Sequence, residues 1–305
     1  MNNQYFVCVN PNSGAGKSGK DWPLIKQKLE QTGFVFDYAI STRHRESIEH
    51  VQRALEQGFR KFIGVGGDGT MHHMVNGLMS QNEVPSADVE LSLISIGTGN
   101  DWVRHYDTPR NYDHAIAMIK AGNTQLQDVG LLSYNDGAKK EYFMNFAGIG
   151  YDAYVVEHTV DLKKFGQSAY LYGLVQCLFQ FEGQNLKVEV DGKPFLDGKI
   201  FMMIAGLGKF AGGGMMLSKN AVINDGYFEL TVGKDLSKKD IIFMIHKLFN
   251  GNYIEHPLVE TLKCKQIRIK AENKEIVKAE ADGELIGTGS FDITLISNAL
   301  RVATL

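Results

Sequence analysis

Carboxylates set among glycines are the residues here whose type and spacing point to chemistry: Asp68 in Val65-Gly-Gly-Asp-Gly-Thr70, Asp101 in Gly97-Thr-Gly-Asn-Asp101, and the pair in Asp282-Gly-Glu284. Glycine lets the main chain approach a ligand or take a positive φ, and an aspartate beside it brings charge to the same spot. The apolar run Lys61-Phe-Ile-Gly-Val65 reads as a buried strand, and Met71, Met74, Val75 and Leu78 recur behind it at helical spacing. Strand, glycine turn and helix together place backbone N–H groups and the positive end of a helix dipole at an anion. Thr70 is expected to cap that helix. A lone glycine loop is also what an ordinary tight turn looks like, so the weight lies in the company it keeps.

That company extends to both sides. Tyr5-Phe-Val-Cys-Val9 reads as a strand, followed by Asn10-Pro-Asn-Ser-Gly-Ala-Gly-Lys-Ser18. A P-loop would need a glycine five residues before Gly16, where Pro11 stands, so a phosphate or nucleotide loop of another kind fits better. Leu24, Ile25 and Leu29 predict a helix closed by Gly33; Ile48, Val51 and Leu55 predict one closed by Gly58; Ala115, Ile116 and Ile119 predict one ending at Gly122. Between them, strands are expected at 34–40, 61–65 and 91–96. Strands alternating with helices call for a parallel, doubly wound sheet. The loops 10–16, 41–42, 66–70 and 97–101 would then gather at the C-terminal ends of its strands, where such sheets bind ligands.

Composition bounds the function classes. At 305 residues the chain has room for two domains, and 44% hydrophobic with 22% charged residues is that of an ordinary soluble globular protein. A net charge of -3 argues against a nucleic-acid binder driven by bulk positive charge. Cys8, Cys177 and Cys264 are far apart, which fits apolar core positions in a reduced compartment. No stretch approaches the roughly 18 apolar residues of a spanning helix, and no leader is evident, so a cytoplasmic protein without a transmembrane segment is expected.

From Glu141 onward the periodicity turns to strands, expected at 142–147, 186–190, 200–205, 227–232, 267–269, 276–281 and 291–296, with Asp191-Gly192 as a hairpin turn. Ser237 with Asp240 predicts a capping box opening a helix through Leu248. Tyr170 to Phe179 predicts a strongly apolar helix flanked by Lys163-Lys164, read as core or as the wall of an acyl-chain pocket at a membrane surface. Gly212-Gly-Gly214 brings backbone close to a substrate or is a flexible loop. Asp282-Gly-Glu284 follows a strand and can present a carboxylate on a fixed element, though Asp-Gly also favours a plain turn. His72-His73 point different ways on a helix and have no acidic partner placed by spacing.

Taken in order, Asn10-Pro with Ser13-Gly14, Gly66-Gly-Asp-Gly-Thr70, Asn76-Gly77, Gly97-Thr-Gly-Asn-Asp101, Asp128-Val-Gly130, Gly148-Ile-Gly-Tyr-Asp152, Gly212-Gly-Gly-Met215, Asn224-Asp-Gly226 and Asp282-Gly-Glu284 resemble the diacylglycerol kinase catalytic domain family of soluble lipid kinases, which includes sphingosine kinases. Gly-Gly-Asp-Gly-Thr alone is shared with NAD kinases and 6-phosphofructokinases; the Gly97–Asp101 box and Asp282-Gly-Glu284 make the match specific. The resemblance implies α/β plus β-rich architecture. A doubly wound nucleotide-binding domain would span 1–129, with 298–305 returning to it, and a β-sandwich lipid-substrate domain would span 130–297. It implies ATP and Mg2+, with substrates meeting between the domains. Asn10, Pro11, Asn12, Ser13, Gly14, Thr42, Gly66, Gly67, Asp68, Gly69, Thr70, Met71, His72, Thr98 and Asn100 would contact ATP. Asp68, Asp101 and Asp128 would organise magnesium, and Asp225 with backbone oxygens near Val222 and Tyr227 would form a structural magnesium site. Asp282 or Glu284 would be the catalytic base. Two departures stand out: His72-His73 where the family often has Asn-Glu, and Leu207-Gly208 where it usually has Asn-Gly.

The expected activity is therefore ATP-dependent phosphorylation of a lipid hydroxyl, diacylglycerol or a related lipid, with peripheral membrane contact, no nucleic acid, and a homodimer admitted. The rivals are an NAD kinase-like phosphotransferase acting on a soluble substrate and a catalytically silent nucleotide-binding sensor.

Overall fold

The computed structural model describes residues 4–97, 99–106, 108–159, 167–271 and 276–305, with side chains given from 172 in the helix that begins at 167. Thr98, Lys163-Lys164 and the side chains of Tyr170 and Leu171, singled out above, lie outside that description. The chain divides into two units, Met1–Gln127 with Asn298–Leu305, and Asp128–Ser297.

The first unit alternates strand and helix: β1 Tyr5–Val9, α1 Lys17–Gln31, β2 Phe36–Ile40, α2 Glu46–Glu56, β3 Lys61–Gly66, α3 Asp68–Met79, β4 Glu90–Ser95 and α4 Tyr112–Ala121. The strands run parallel in the order β2-β1-β3-β4. The end of the last strand of the chain joins β4, with Arg301 opposite Glu90 and Val302 opposite Leu91. Tyr5, Val7 and Val9 pack with Trp22, Ile25 and Leu29 of α1 and Ile116 and Ile119 of α4. Phe6 and Cys8 face the other way, toward the side that α2 and α3 cover. Burial on both faces is why β1 and β3 read as apolar runs, while β4 buries Glu90, Ser92 and Ser95 among its apolar residues. The order reverses between β1 and β3, whose following helices leave to opposite faces, and that is where a crevice opens at the strand ends.

Details differ from the expected pattern. The buried stripe of α1 is Ser18, Trp22, Ile25 and Leu29, while Leu24 is 48% exposed, because a 100° step per residue carries it off the stripe. The helix α3 already begins at Asp68, with Gly67 as its N-cap, so Thr70 lies inside the first turn and does not cap it.

The second unit is mainly antiparallel. It takes in β5 Thr124–Tyr134 from Asp128 onward, then β6 Lys139–Phe143, β7 Phe146–Gly150, α5 Tyr151–Thr159, α6 Gln167–Gln180, β8 Gln184–Val190, β9 Lys193–Gly206, β10 Phe210–Ala211 and β11 Met215–Met216. There follow β12 Phe228–Lys234, α7 Lys238–Met244, β13 Val259–Cys264, β14 Gln266–Ala271, β15 Lys278–Ala281, β16 Glu284–Thr288 and β17 Phe291–Ala303. Pairing runs β16-β15-β7-β9-β8-β14-β17, with β12 between β9 and β13. These strands share a core that includes Phe143, Phe228 and Phe291, and a second cluster joins α5, α6 and α7. Asp191-Gly192 closes the β8–β9 hairpin with φ of 48° and 75°, the left-handed pair of a type I′ turn. The expected strand 142–147 is two strands, β6 and β7, because Met144 and Asn145 leave the ladder to donate to Asp282. The expected strand 291–296 continues without a break through the returning segment to Ala303, and the helix after Ser237 keeps its capping box but gives way to a 3₁₀ turn at Ile245.

Candidate active site

At the strand-order reversal the two loops are tied side chain to side chain. Asn10 Nδ2 donates to Thr70 Oγ1 at 3.1 Å, the Ser13 and Thr70 hydroxyls lie 3.4 Å apart, and the Gly67 N–H donates to Ser13 Oγ at 3.3 Å. Gly66 has to be glycine: a Cβ there would lie 2.2 Å from Thr70 Oγ1 and 3.1 Å from Ser13 Oγ. Gly14, Ala15 and Gly16 take φ of 60°, 55° and 85°, so the chain turns left-handed into α1. Leaving β2, Thr42 gives both its N–H and its hydroxyl to Glu46 and so opens α2. Met71 and His72 are wholly buried in α3, and the His73 ring meets His44 edge-on at 5.0 Å.

The Gly97–Asp101 loop reaches the same place. Gly97 packs against Gly67, where a Cβ would come 3.1 Å from the Gly67 Cα. Asp68 accepts the Asp101 N–H at 3.1 Å and the Trp102 N–H at 3.3 Å, and so caps the 3₁₀ turn Trp102–Tyr106. A Cβ on Gly99 would stand 3.3 Å from Asp101 Oδ2 and 3.4 Å from Asp68 Oδ2, so one glycine separates the two carboxylates. Arg104 Nε holds Asp101 Oδ1 at 3.2 Å. Asn100 Oδ1 is buried with no hydrogen-bond partner among the described residues. The two carboxylates flanking Gly99 are oxygen donors of the kind a hard divalent cation such as magnesium takes.

Asp128 belongs to the second unit and is fully buried. Its N–H donates to Ile223 O at 2.8 Å and its carboxylate accepts the Gly226 N–H at 2.7 Å, so it buckles the loop carrying Val222, Asp225 and Tyr227. Asp225 accepts the Tyr227 N–H at 3.1 Å and pairs with Lys263 Nζ at 2.5 Å, while Lys263 and Lys265 lie over the Tyr227 ring. A divalent ion at Asp225 has to displace that ammonium, much as one at Asp101 has to compete with the Arg104 guanidinium.

In Asp282-Gly-Glu284, Asp282 and Gly283 have φ of 49° and 81° and make the tight turn between β15 and β16. The two carboxylates part company here. Asp282 accepts the N–H groups of Met144 at 3.0 Å, Asn145 at 2.9 Å and Phe146 at 3.1 Å, and its own N–H returns to Phe146 O at 2.9 Å. Glu284 opens β16, half-buried.

The second unit also contains an almost wholly apolar cleft, walled by Leu174, Phe201, Met215, Leu236, Met244 and their neighbours. Gly212 lines it; the triplet takes φ of 61°, 86° and 110° between the short strands β10 and β11. The phenols of Tyr151 and Tyr253 in its wall donate to the carbonyls of Leu174 and Leu217. That leaves Asp152 and Thr231 as its other polar lining groups. Sequence reasoning quoted the Gly148–Asp152 box without giving Asp152 a task, and passed over Glu280, Thr231 and Tyr253. Glu280 carried a signal: a carboxylate between Ala279 and Ala281, both fully buried in β15.

Residues 4–132 match the family model described as the diacylglycerol kinase catalytic domain, and residues 145–304 match the YegS C-terminal NAD kinase beta sandwich-like domain. Among curated relatives, the diacylglycerol kinase of Staphylococcus carnosus (strain TM300) is 27% identical over 289 residues, 94% of this chain and 90% of that one. The diacylglycerol kinase of Bacillus subtilis (strain 168) is 27% identical over 286 residues, 92% and 89% of the two chains. A crystal structure of a diacylglycerol kinase from Bacillus anthracis str. Sterne covers 99% of this chain and 97% of its own, with a TM-score of 0.72 at 21% identity. An NAD kinase from Archaeoglobus fulgidus in complex with ATP covers 99% and 94% with a TM-score of 0.55 at 12% identity. At these identities the two structures show a shared fold.

Proposed function

This chain belongs to the diacylglycerol kinase catalytic domain family and is a kinase; from that premise we propose that it transfers the γ-phosphate of ATP to a hydroxyl group of a membrane lipid. The observation that carries the lipid half is the apolar cleft of the second unit, which suits a hydrocarbon chain and would leave the polar groups of a nucleotide such as NAD unsatisfied. The nucleotide half rests on the meeting of three glycine loops at the strand-order reversal.

The roles follow from what each group touches. Asn10 to Gly14 and Gly66 to Thr70 would cradle phosphate at the N-terminus of α3. Asp68 and Asp101 would hold magnesium, with Asp128 and the Asp225 loop as further candidates; the ion, when bound, neutralises charge on the phosphates. In the second unit Glu284 would take the proton of the attacking hydroxyl. Asp282 has both oxygens engaged by N–H groups of residues 144–146, which supports a role as the clamp that fixes the turn. No helix among the described residues is long and apolar enough to cross a membrane, so contact with the lipid's bilayer would be peripheral.

Transfer of label from ATP is measured with diacylglycerol, phosphatidylglycerol, ceramide, sphingosine and undecaprenol in micelles, with NAD as the soluble control. Magnesium-dependent labelling of one lipid, lost in Glu284→Gln, is the expected result. Labelling of NAD alone would overturn the lipid reading, and ATP binding without any transfer would favour the sensor.

A further inference from the structure

Gly148 in β7 stands opposite Glu280 in β15, and Asp152 lies one helical turn further on, in the first turn of α5. A Cβ on Gly148 would fall 2.0 Å from Asp152 Oδ2 and 2.7 Å from Glu280 Oε1. Both carboxyl groups therefore converge over the bare Cα of one glycine. Glu280 is only 2% exposed, and its other oxygen, Oε2, accepts the Gly283 N–H at 2.7 Å. Asp152 lines the apolar cleft. Thr231, wholly buried, lines it too, with the Tyr253 phenol beside it and its Oγ1 lacking a sound hydrogen bond among the described residues. A carboxylate and a hydroxyl in an otherwise apolar cavity mark a place where a ligand's polar group is expected.

We propose that Glu280 is a positioning residue for the lipid substrate: carrying a proton on Oε1 and donating it to Asp152, it joins the carboxylate that meets the lipid's polar end to the turn that presents Glu284. Two carboxylates cannot both remain charged at this separation in a buried site. Because Oε2 accepts from Gly283, the proton belongs on Oε1, facing Asp152. Asp152 stays ionised and, with Thr231, offers hydrogen-bond acceptors to a hydroxyl on a hydrocarbon chain. Burial, then the charge of Asp152, hold the Glu280 carboxyl well above the usual carboxylate range. Of the other charged groups nearby, Asp282 pushes the same way, and Glu157 and Lys278 answer each other at 2.6 Å. The positioning role rests on the lipid-kinase reading; the protonated pair does not.

The test compares the full chain with Glu280→Gln and Glu280→Ala by two readouts. In thermal melts, Glu280 binds its proton more tightly folded than unfolded, so the native protein loses stability as pH rises from the unfolded carboxylate range toward the folded one. Glutamine makes the same two hydrogen bonds and does not titrate. The melting temperature of Glu280→Gln relative to the native protein should climb by about 2–4 °C per pH unit as pH rises above the unfolded carboxylate range. In lipid phosphorylation, Glu280→Ala should lose at least about tenfold in kcat/KM, the loss expected when a substrate-orienting contact is misplaced. Glu280→Gln should restore most of that and flatten the alkaline limb of the pH profile. A pH-independent difference in melting overturns the inference while leaving lipid transfer intact. A pH-dependent melt in a protein that labels no lipid overturns the lipid reading and the positioning role together. Equal loss in both variants overturns the positioning role alone.

Discussion

Replacing Asp282 and Glu284 separately tests whether one turn holds a clamp and a base in adjacent positions. Asp282→Ala removes one carboxylate that serves three N–H groups at 2.9–3.1 Å. Hydrogen bonds to charged acceptors contribute about 1.5–3 kcal/mol each, but one carboxylate's three bonds do not add, and the half-buried site admits water to some of the abandoned donors. Alanine also tolerates the φ of 49° poorly, at a cost of about 1 kcal/mol. A loss of about 3–4 kcal/mol follows, a fall of about 7–14 °C in the melting of the second unit. Asparagine tolerates the turn and keeps the two bonds to Oδ1, but sets an NH₂ group against the Met144 N–H, so about 1–2 kcal/mol is lost. Glu284→Gln should melt within about 1–2 °C of the native protein, as surface-like substitutions do, yet lose about 10²–10⁴ in kcat, the usual share of a general base. The assay is scanning calorimetry paired with turnover at saturating lipid and ATP. Native melting in Asp282→Ala with abolished turnover would make Asp282 the base. Normal turnover in Glu284→Gln would refute the assignment.

Gly66→Ala should raise the KM for ATP by about tenfold or more, since its Cβ would lie 2.2 Å from Thr70 Oγ1 and push apart the Asn10–Thr70 contact; an unchanged KM would remove the loop from the nucleotide site. Lys263→Met should raise magnesium affinity at Asp225 about two- to fivefold, the scale of an exposed ion pair, by calorimetric titration without nucleotide; no change would count against a cation at Asp225. Burial pushes the thiols of Cys8 and Cys264 up to about 12, so neither should react with iodoacetamide at pH 8 until denaturant is added, as mass spectrometry would read. Rapid native labelling of Cys8 would show that β1 opens readily.

Local patterns made much of the molecule legible in advance. Apolar runs located β1 and β3, because strands buried on both faces favour near-continuous apolar sequence, and Leu91, Leu93 and Ile94 were enough to place β4 although it also buries Glu90, Ser92 and Ser95. Helix spacing located α1, α2 and α4, with Gly58 and Gly122 just past the ends of the last two, at φ of 92° and 73°, where only glycine is comfortable. The glycine–aspartate boxes at 66–70, 97–101 and 282–284 were visible because close backbone approach and tight turns restrict residue type at fixed positions. The short strand β13 was not visible, since a few half-buried residues carry little periodic signal, nor was α5, whose buried Tyr151, Ala153, Val155, Val156 and Thr159 spread around the helix instead of forming one stripe.

What only the tertiary structure decided is what each carboxylate touches. Asp282 and Glu284 are chemically alike in a string of letters; they separate once β6 and β7 bring three N–H groups of residues 144–146 onto Asp282. Asp68 and Asp101 are 33 residues apart and become neighbours across Gly99 only through the parallel pairing of β3 with β4. Glu280 and Asp152 are farther apart still, and meet because β15 pairs with β7 and leaves a glycine bare between them. Sequence determines backbone restrictions and burial, since these act over a few residues; charge, protonation and the use of an acceptor depend on what is within a few ångströms, and in a folded chain that is set by strands distant in sequence.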